Sequence, residues 1–301
     1  MRKIAHIVNP VLVDNSSDLF VAQPITFETM RSACTFTAGQ VEVELYTAQY
    51  PEDHPVVPAG FGRTPDLEES VLDYGRFQKH RKLPLLRDIL DRLYQASEAE
   101  YLVYTNVDIS LQPHFYLALS QFIEAGYDAF VINRRTISDQ FTTITQIPLM
   151  YAQVGESHRG WDCFIFRRDT YPRYRLGTVC LGAPRVGLAL LANLLAHAEH
   201  FAEFKDLHLT FHLGNERGWR GRARGDYASH NTRQLLQVLA ALEQEVGPFD
   251  RSSPPGAFLS KRRRYGPLYE LWVRHVHIPV RVRRWLEHVT HRRLAAGGDL
   301  Q

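Results

Sequence analysis

The chain has 301 residues, 45% apolar and 23% charged, enough for one large or two modest domains with a substantial core and unlike a disordered or fibrous protein. Its longest apolar runs, such as 186–192, fall far short of the ~20 residues of a membrane span, and His6, Asn9 and Pro10 interrupt any signal-peptide apolar region behind Arg2 and Lys3. The net charge of +2 hides an asymmetry: residues 261–293 hold ten Lys/Arg against Glu270 and Glu287, while residues 1–260 hold 25 basic and 30 acidic side chains, a net −5 that argues against a nucleic-acid-binding core.

The β-rich run 3–13 has no helical period and reads as a buried first strand. Residues 26–35 place Phe27, Met30 and Cys34 on one side of a helix, and 41–46 alternate apolar and acidic as a strand with one covered face does. A proline- and glycine-rich stretch, 51–65, reads as a loop and 66–74 as a short helix. Leu86, Ile89, Leu90 and Leu93 make 83–96 an amphipathic helix. A strand over 101–105 then ends in Asn106-Val107-Asp108, Pro113 opens a helix over 113–125, and 128–133 is a further strand. This alternation predicts an α/β fold, a mainly parallel sheet flanked by helices with a Rossmann-like nucleotide-binding half.

The second half is less regular: a strand over 163–166, an apolar helix over 185–198, a short strand over 208–213, a Gly/Arg-rich loop over 214–225 and a helix over 232–245. Residues 248–256 read as a linker. The expected organisation is one domain over 1–250, with a nucleotide-binding part at 1–135 and an acceptor-side part at 136–250, followed by a basic helical tail at 251–301. Three cysteines, Cys34, Cys163 and Cys180, leave at least one thiol unpaired and lack metal-ligand spacing, so a reducing, cytoplasmic location is expected.

In an open α/β sheet, ligands bind beyond the carboxyl ends of the strands. Asn106 and Asp108 leave such an end, and their i, i+2 spacing lets both face one ligand. Paired oxygens of this kind suit a hard cation, Mg2+ or Mn2+, bridging the oxygens of a diphosphate. The competing reading is local: Asp108 caps the following turn and Asn106 serves nearby backbone groups. Trp161 and Asp162 offer an aromatic face beside a carboxylate ahead of a strand, a pairing that could serve a ligand; a capping Asp beside a core Trp explains the same letters. In the strand over 208–213, His208, Thr210 and His212 would share one face, against which stands the commoner fate of a buried structural histidine.

Residues 82–90 and 99–109 together resemble the nucleotide-sugar-binding half of GT-A glycosyltransferases, in which a helix precedes a strand ending in an Asp-x-Asp motif. Here the first Asp is Asn106, giving an Asn-x-Asp variant. The resemblance covers about 1–215 in order of elements. It implies a metal-assisted transfer of a sugar from a nucleotide-diphosphate sugar to a glycan or lipid-linked acceptor hydroxyl. Asp108, Asn106 and His212 would hold a divalent cation (Mn2+ or Mg2+), and Asp162 would act as general base. Asn9, Pro10, Arg81, Lys82 and Arg217 would contact the nucleotide and its diphosphate, and Trp161 and His208 the acceptor. The neutral Asn106 keeps open a non-catalytic GT-A-like binding protein, and a nucleotidyltransferase on the same fold is the other alternative. Basic and apolar residues interleave over 261–293, which suits peripheral contact with an anionic membrane; packing of that segment on the acidic body is the alternative.

Overall fold

The apolar run at the N-terminus becomes strand β1 (Arg2–Val8), paired in parallel with β2 (Val41–Thr47) on one side and β4 (Tyr101–Thr105) on the other. The computed structural model describes residues 1–214 and 225–265; residues 215–224, with Arg217, and 266–301, most of the basic tail, lie outside the described residues. Beyond β2 lies the two-residue β3 (Gly62–Arg63), and beyond β4 lie β9 (Cys163–Arg167), β6 (Ala129–Ile132) and β10 (Phe201–Phe204). The seven-stranded order is β10-β6-β9-β4-β1-β2-β3, every pairing being parallel except the two made by β9. A second sheet of four short strands has the order β5 (Ser110–Leu111), β11 (Thr210–Leu213), β7 (Arg135–Ile137), β8 (Glu156–Ser157).

Helices cover both faces of the large sheet, as its continuous apolar strands require. On one face, α1 (Leu19–Phe36) and α3 (Phe115–Glu124) bury Phe27, Met30, Phe115 and Leu119 against β1 and β4. On the other, α2 (Leu86–Ala96), α5 (Val186–His197) and α6 (Gly225–Val246) bury Leu86, Ile89, Leu90, Leu191 and Leu235. The short α4 (Ile147–Tyr151) packs with the small sheet through Met150 and Phe211. The described part of the tail, α7 (Pro254–Tyr265), buries Phe258 in the same core as α5 and α6, and Arg263 reaches Glu243 at 3.8 Å. Among the described residues no helix is long and apolar enough to cross a membrane.

Several boundaries differ from the sequence reading for identifiable reasons. β1 stops at Val8 because side chains take over its backbone partners: Asn9 donates to the Ala48 carbonyl, while Val11 and Leu12 N–H donate to Gln23 and Asp53. Helix α1 begins at Leu19, with Pro24 inside it; the carbonyl that Pro24 leaves without its helical donor belongs to exposed Phe20. The 51–65 loop contains β3 and a 3-10 turn, Pro51–Val56, and the helix expected over 66–74 is a 3-10 turn confined to Val71–Tyr74. The final strand starts at Thr210, so His208 precedes it.

His6, in the middle of β1, is fully buried between the Tyr116 hydroxyl and Thr105 Oγ1, each 2.9 Å from a ring nitrogen. Burial pushes its pKa down to about 3. Protons therefore bind the unfolded chain in preference, and the stability His6 contributes is whole above the unfolded value near 6.5 and is lost as pH falls toward 3. Urea denaturation is expected to show a loss of about 2 kcal/mol between about pH 7 and about pH 5 that a His6→Gln variant lacks. Equal pH dependence in both proteins would contradict it.

Candidate active site at the carboxyl ends of the strands

β9 runs antiparallel between two strands that are parallel to each other, so it starts where they end. Cys163 is in register with both Thr105 of β4 and Ile132 of β6. Asp162, one residue earlier, therefore lies between Asn106 and the segment Asn133-Arg134 that leaves β6. The small sheet closes the other side. β11 pairs with β7 so that His212 is opposite Thr136, and with β5 so that Phe211 is opposite Ser110. These registers bring His212 to Asp108.

Asp108 Oδ2 lies 3.3 Å from His212 Nε2, and His212 Nδ1 lies 2.9 Å from the Gly214 carbonyl. The carbonyl can only accept, so the Nδ1 proton is fixed there. In the neutral ring, Nε2 then aims a lone pair at a carboxylate, a juxtaposition that a proton or a cation between them relieves. Asp108 Oδ1 is buried with no hydrogen-bond partner. Burial alone would raise the Asp108 pKa, but the hydrogen bond and charge of His212 and the charge of Arg134 outweigh it and hold the carboxyl below its ordinary value. An ionised carboxylate with an unmet buried oxygen, beside an imidazole whose far nitrogen is tied to a carbonyl, fits a divalent cation: the far hydrogen bond orients the ring, as second-sphere partners do at metal sites. Among the described residues no three His, Cys, Asp or Glu side chains gather as a metal cluster, so two side chains would share the ion with ligand or water oxygens, as suits Mg2+ or Mn2+. Asn106 Oδ1 stands beside them and accepts the Tyr104 hydroxyl at 3.0 Å.

Asp162 is buried with its Oδ1 3.6 Å from Arg134 Nη1, itself almost wholly enclosed. Oδ2 has no hydrogen-bond partner. His158 Nδ1 lies 3.4 Å from it, but that nitrogen accepts the Gly160 N–H at 3.0 Å, so in the neutral ring it has no proton to give. Tyr104, buried under both carboxylates, has its pKa raised first by burial and then by the charges of Asp108 and Asp162. The two acidic positions expected from sequence thus belong to one site, joined through Tyr104 and Arg134.

The other expected positions divide. Trp161 is half-buried against the core, and its Nε1–H donates to Glu203 on β10 at 2.9 Å, which makes it a fixed wall beside Asp162. His208 does not join His212. Its ring nitrogen is 3.0 Å from Gln112 Nε2, and the β5–β11 register puts that contact at the opposite end of the short ladder from Asp108; four residues of strand span about 13 Å. Asn9 and Pro10 are buried at the end of β1, with the Asn9 amide committed to Ala48 at 2.7 Å. Lys82 is held by Glu52 at 2.7 Å and lies 3.9 Å over the Tyr50 ring, whereas the Arg81 N–H donates to Tyr227.

Sequence reasoning passed over Arg134, Tyr104 and His158. Arg134 was within reach of the rule that selected Asp108, because it leaves the carboxyl end of β6 as Asp108 leaves that of β4. Removing it strands a buried carboxylate, which typically costs ~3–5 kcal/mol. An Arg134→Met variant is expected to lose about that much in urea denaturation at neutral pH. A loss below about 1 kcal/mol would show that the pair contributes only as an exposed one does.

The sheet and site define a mixed α/β protein with two buried carboxylates, Asp108 and Asp162, at the carboxyl edge of its sheet. No protein-family model matches the chain, and no curated protein matches its sequence. Among solved structures the chain is similar to S. aureus TarS 1–349 in complex with UDP-GlcNAc, at 10% identity, covering 87% of this chain and 78% of that one with a TM-score of 0.47. It is also similar to glucosyl-3-phosphoglycerate synthase from Mycobacterium tuberculosis in complex with Mn2+, UDP and glucosyl-3-phosphoglycerate, at 14% identity, covering 83% and 81% with a TM-score of 0.44.

Proposed function

We propose that the protein is a GT-A-type glycosyltransferase that moves a sugar from a nucleotide-diphosphate donor to an acceptor hydroxyl. The observation that carries the reading is the Asp108–His212 pair, with its unmet buried oxygen and carbonyl-oriented imidazole at the end of β4. A divalent cation held there by Asp108 and His212, beside Asn106, would offset the negative charge developing on the leaving diphosphate. Asp162 receives the acceptor hydroxyl proton on Oδ2, the oxygen without a hydrogen-bond partner, while Oδ1 faces Arg134. Arg134 sets a positive charge beside that buried carboxylate and fixes its direction. Trp161, braced by Glu203, limits where the acceptor ring can lie.

Two expected contacts narrow in this reading. His208 is left out of the acceptor site, and Asn9 and Pro10 shape the floor under the nucleoside while the Asn9 amide stays on Ala48. A thermal-shift panel of UDP-, GDP- and ADP-sugars with Mn2+ tests the assignment. A donor that binds only the folded state at about 100 times its Kd stabilises by ~2.7 kcal/mol. No shift with any member would overturn the reading.

A further inference from the structure

The loop over 75–82 carries Arg76, Lys79, His80, Arg81 and Lys82 within seven residues, on a body of residues 1–260 whose net charge is −5. The backbone of this loop is clamped. Phe77 is buried and stacks on Tyr227 with ring centroids 4.2 Å apart and planes 5° from parallel. The Gln78 N–H donates to Asp226 at 2.7 Å, and the Tyr227 hydroxyl donates to the Lys79 carbonyl at 2.6 Å and accepts from the Arg81 N–H at 2.8 Å. Arg76, Lys79, His80 and Lys82 point into solvent from this rigid mount. Of the five, Lys82 alone has a carboxylate partner, Glu52; among the described residues Arg76, Lys79 and Arg81 have none. Arg87, Arg168 and Arg173, by contrast, each reach a glutamate: Glu69, Glu98 and Glu245. Five basic side chains held on a fixed backbone against two carboxylates, Asp226 on the Gln78 N–H and Glu52 on Lys82, leave an excess of positive charge whose local field favours an anion.

The loop is also in the right place. It leads into α2, whose C-terminal end connects directly to the start of β4, so the start of α2 lies at the carboxyl edge of the sheet with Asp108 and Asp162. The segment joining it to α2 is pinned there, Leu86 N–H donating to Val179 and Leu181 N–H to Pro84, both at 2.9 Å. A donor diphosphate at Asp108 would have its own cation to offset it, so Arg76, Lys79 and Arg81 exceed what the donor requires; Arg76 and Lys79 are exposed and Arg81 is partly buried.

We propose that the 75–82 loop is an acceptor-side platform for a phosphate-bearing glycan, the guanidinium groups of Arg76 and Arg81 pairing with phosphate oxygens and Lys79 adding a point charge. The assignment rests on the glycosyltransferase reading for the word acceptor, and its test separates the two. Full-length protein and an Arg76→Gln/Lys79→Gln variant are titrated into fluorescein-labelled phosphorylated dextran and into unphosphorylated dextran of the same length, with anisotropy as readout. The same two proteins are titrated calorimetrically with UDP, GDP and ADP, each with Mn2+. The wild type is expected to bind the phosphorylated polymer alone, with affinity that falls steeply with salt, and the variant to bind it about tenfold or more weakly. UDP–Mn2+ affinity should be equal in the two proteins. Equal polymer binding by both proteins overturns the platform, as does a parallel fall in UDP affinity, which would assign the loop to the donor. Binding of phosphatidylglycerol vesicles that depends on Arg76 and Lys79, without binding of phosphorylated dextran, would assign it to a lipid surface and overturn the proposal too. Absence of binding of UDP, GDP and ADP with Mn2+ in both proteins, with the dextran result as expected, would strike the glycosyltransferase reading and leave the anion platform standing.

Discussion

Replacing Asp108 by alanine is expected to weaken the joint binding of Mn2+ and a nucleoside diphosphate by on the order of a hundredfold or more, ~2.7 kcal/mol. Asp108 is the only carboxylate on Asn106-Val107-Asp108, and His212 alone is a neutral ligand that gives a hard dication no charge compensation. The alanine variant is expected to lose some stability when metal-free, because it removes the carboxylate that the His212 hydrogen bond and the charges of His212 and Arg134 hold ionised, so binding has to be compared well below its melting temperature. Asn106→Asp supplies the control in the other direction. It keeps the oxygen that the Tyr104 hydroxyl uses and adds charge, so calorimetry should show metal binding preserved or tightened. Unchanged affinity in Asp108→Ala would remove the metal from this position.

Much of the sheet could be read from the chain because its information is local. The parallel strands of the large sheet are buried on both faces and appear as continuous apolar runs, and α2 shows its inward face as Leu86, Ile89, Leu90 and Leu93. Asp108 was legible by the rule that binding residues follow the ends of parallel strands. Its partnership with Asp162 was not. That depends on β9 entering the sheet against its neighbours, a matter of topology on which a five-residue run of apolar residues is silent. His208 shows the same limit. Alternation over 208–213 grouped it with His212, but pairing with β5 fixes the register of β11 and leaves His208 on Gln112. Arg134 went unnoticed because arginine is ordinarily a surface residue; only when β6 and β9 are seen side by side does a buried guanidinium between two acids become necessary.

Asp162→Asn is expected to lower kcat by 10²–10⁴-fold, the usual contribution of a general base, while UDP–Mn2+ affinity stays within about twofold of wild type, because in the proposed reading the donor is held through Asp108 and His212. The substitution preserves shape but not charge, and the Arg134 guanidinium 3.6 Å away loses the negative charge of Asp162. Some loss of stability is therefore expected, and activity has to be compared well below the variant's melting temperature. The split between turnover and donor binding is what distinguishes a base from a merely structural acid: loss of a structural Asp162 would disturb Asn106 and Arg134 together and weaken donor binding as much as turnover. Asp162→Glu sharpens the distinction. It restores a carboxylate in a displaced position, so partial recovery of kcat with unchanged donor affinity would place the proton on that group. Near-normal turnover by Asp162→Asn would remove Asp162 from the chemistry. His158, 3.4 Å away, would then be the side chain to test, since its Nδ1 needs only to exchange the Gly160 N–H for a substrate hydroxyl.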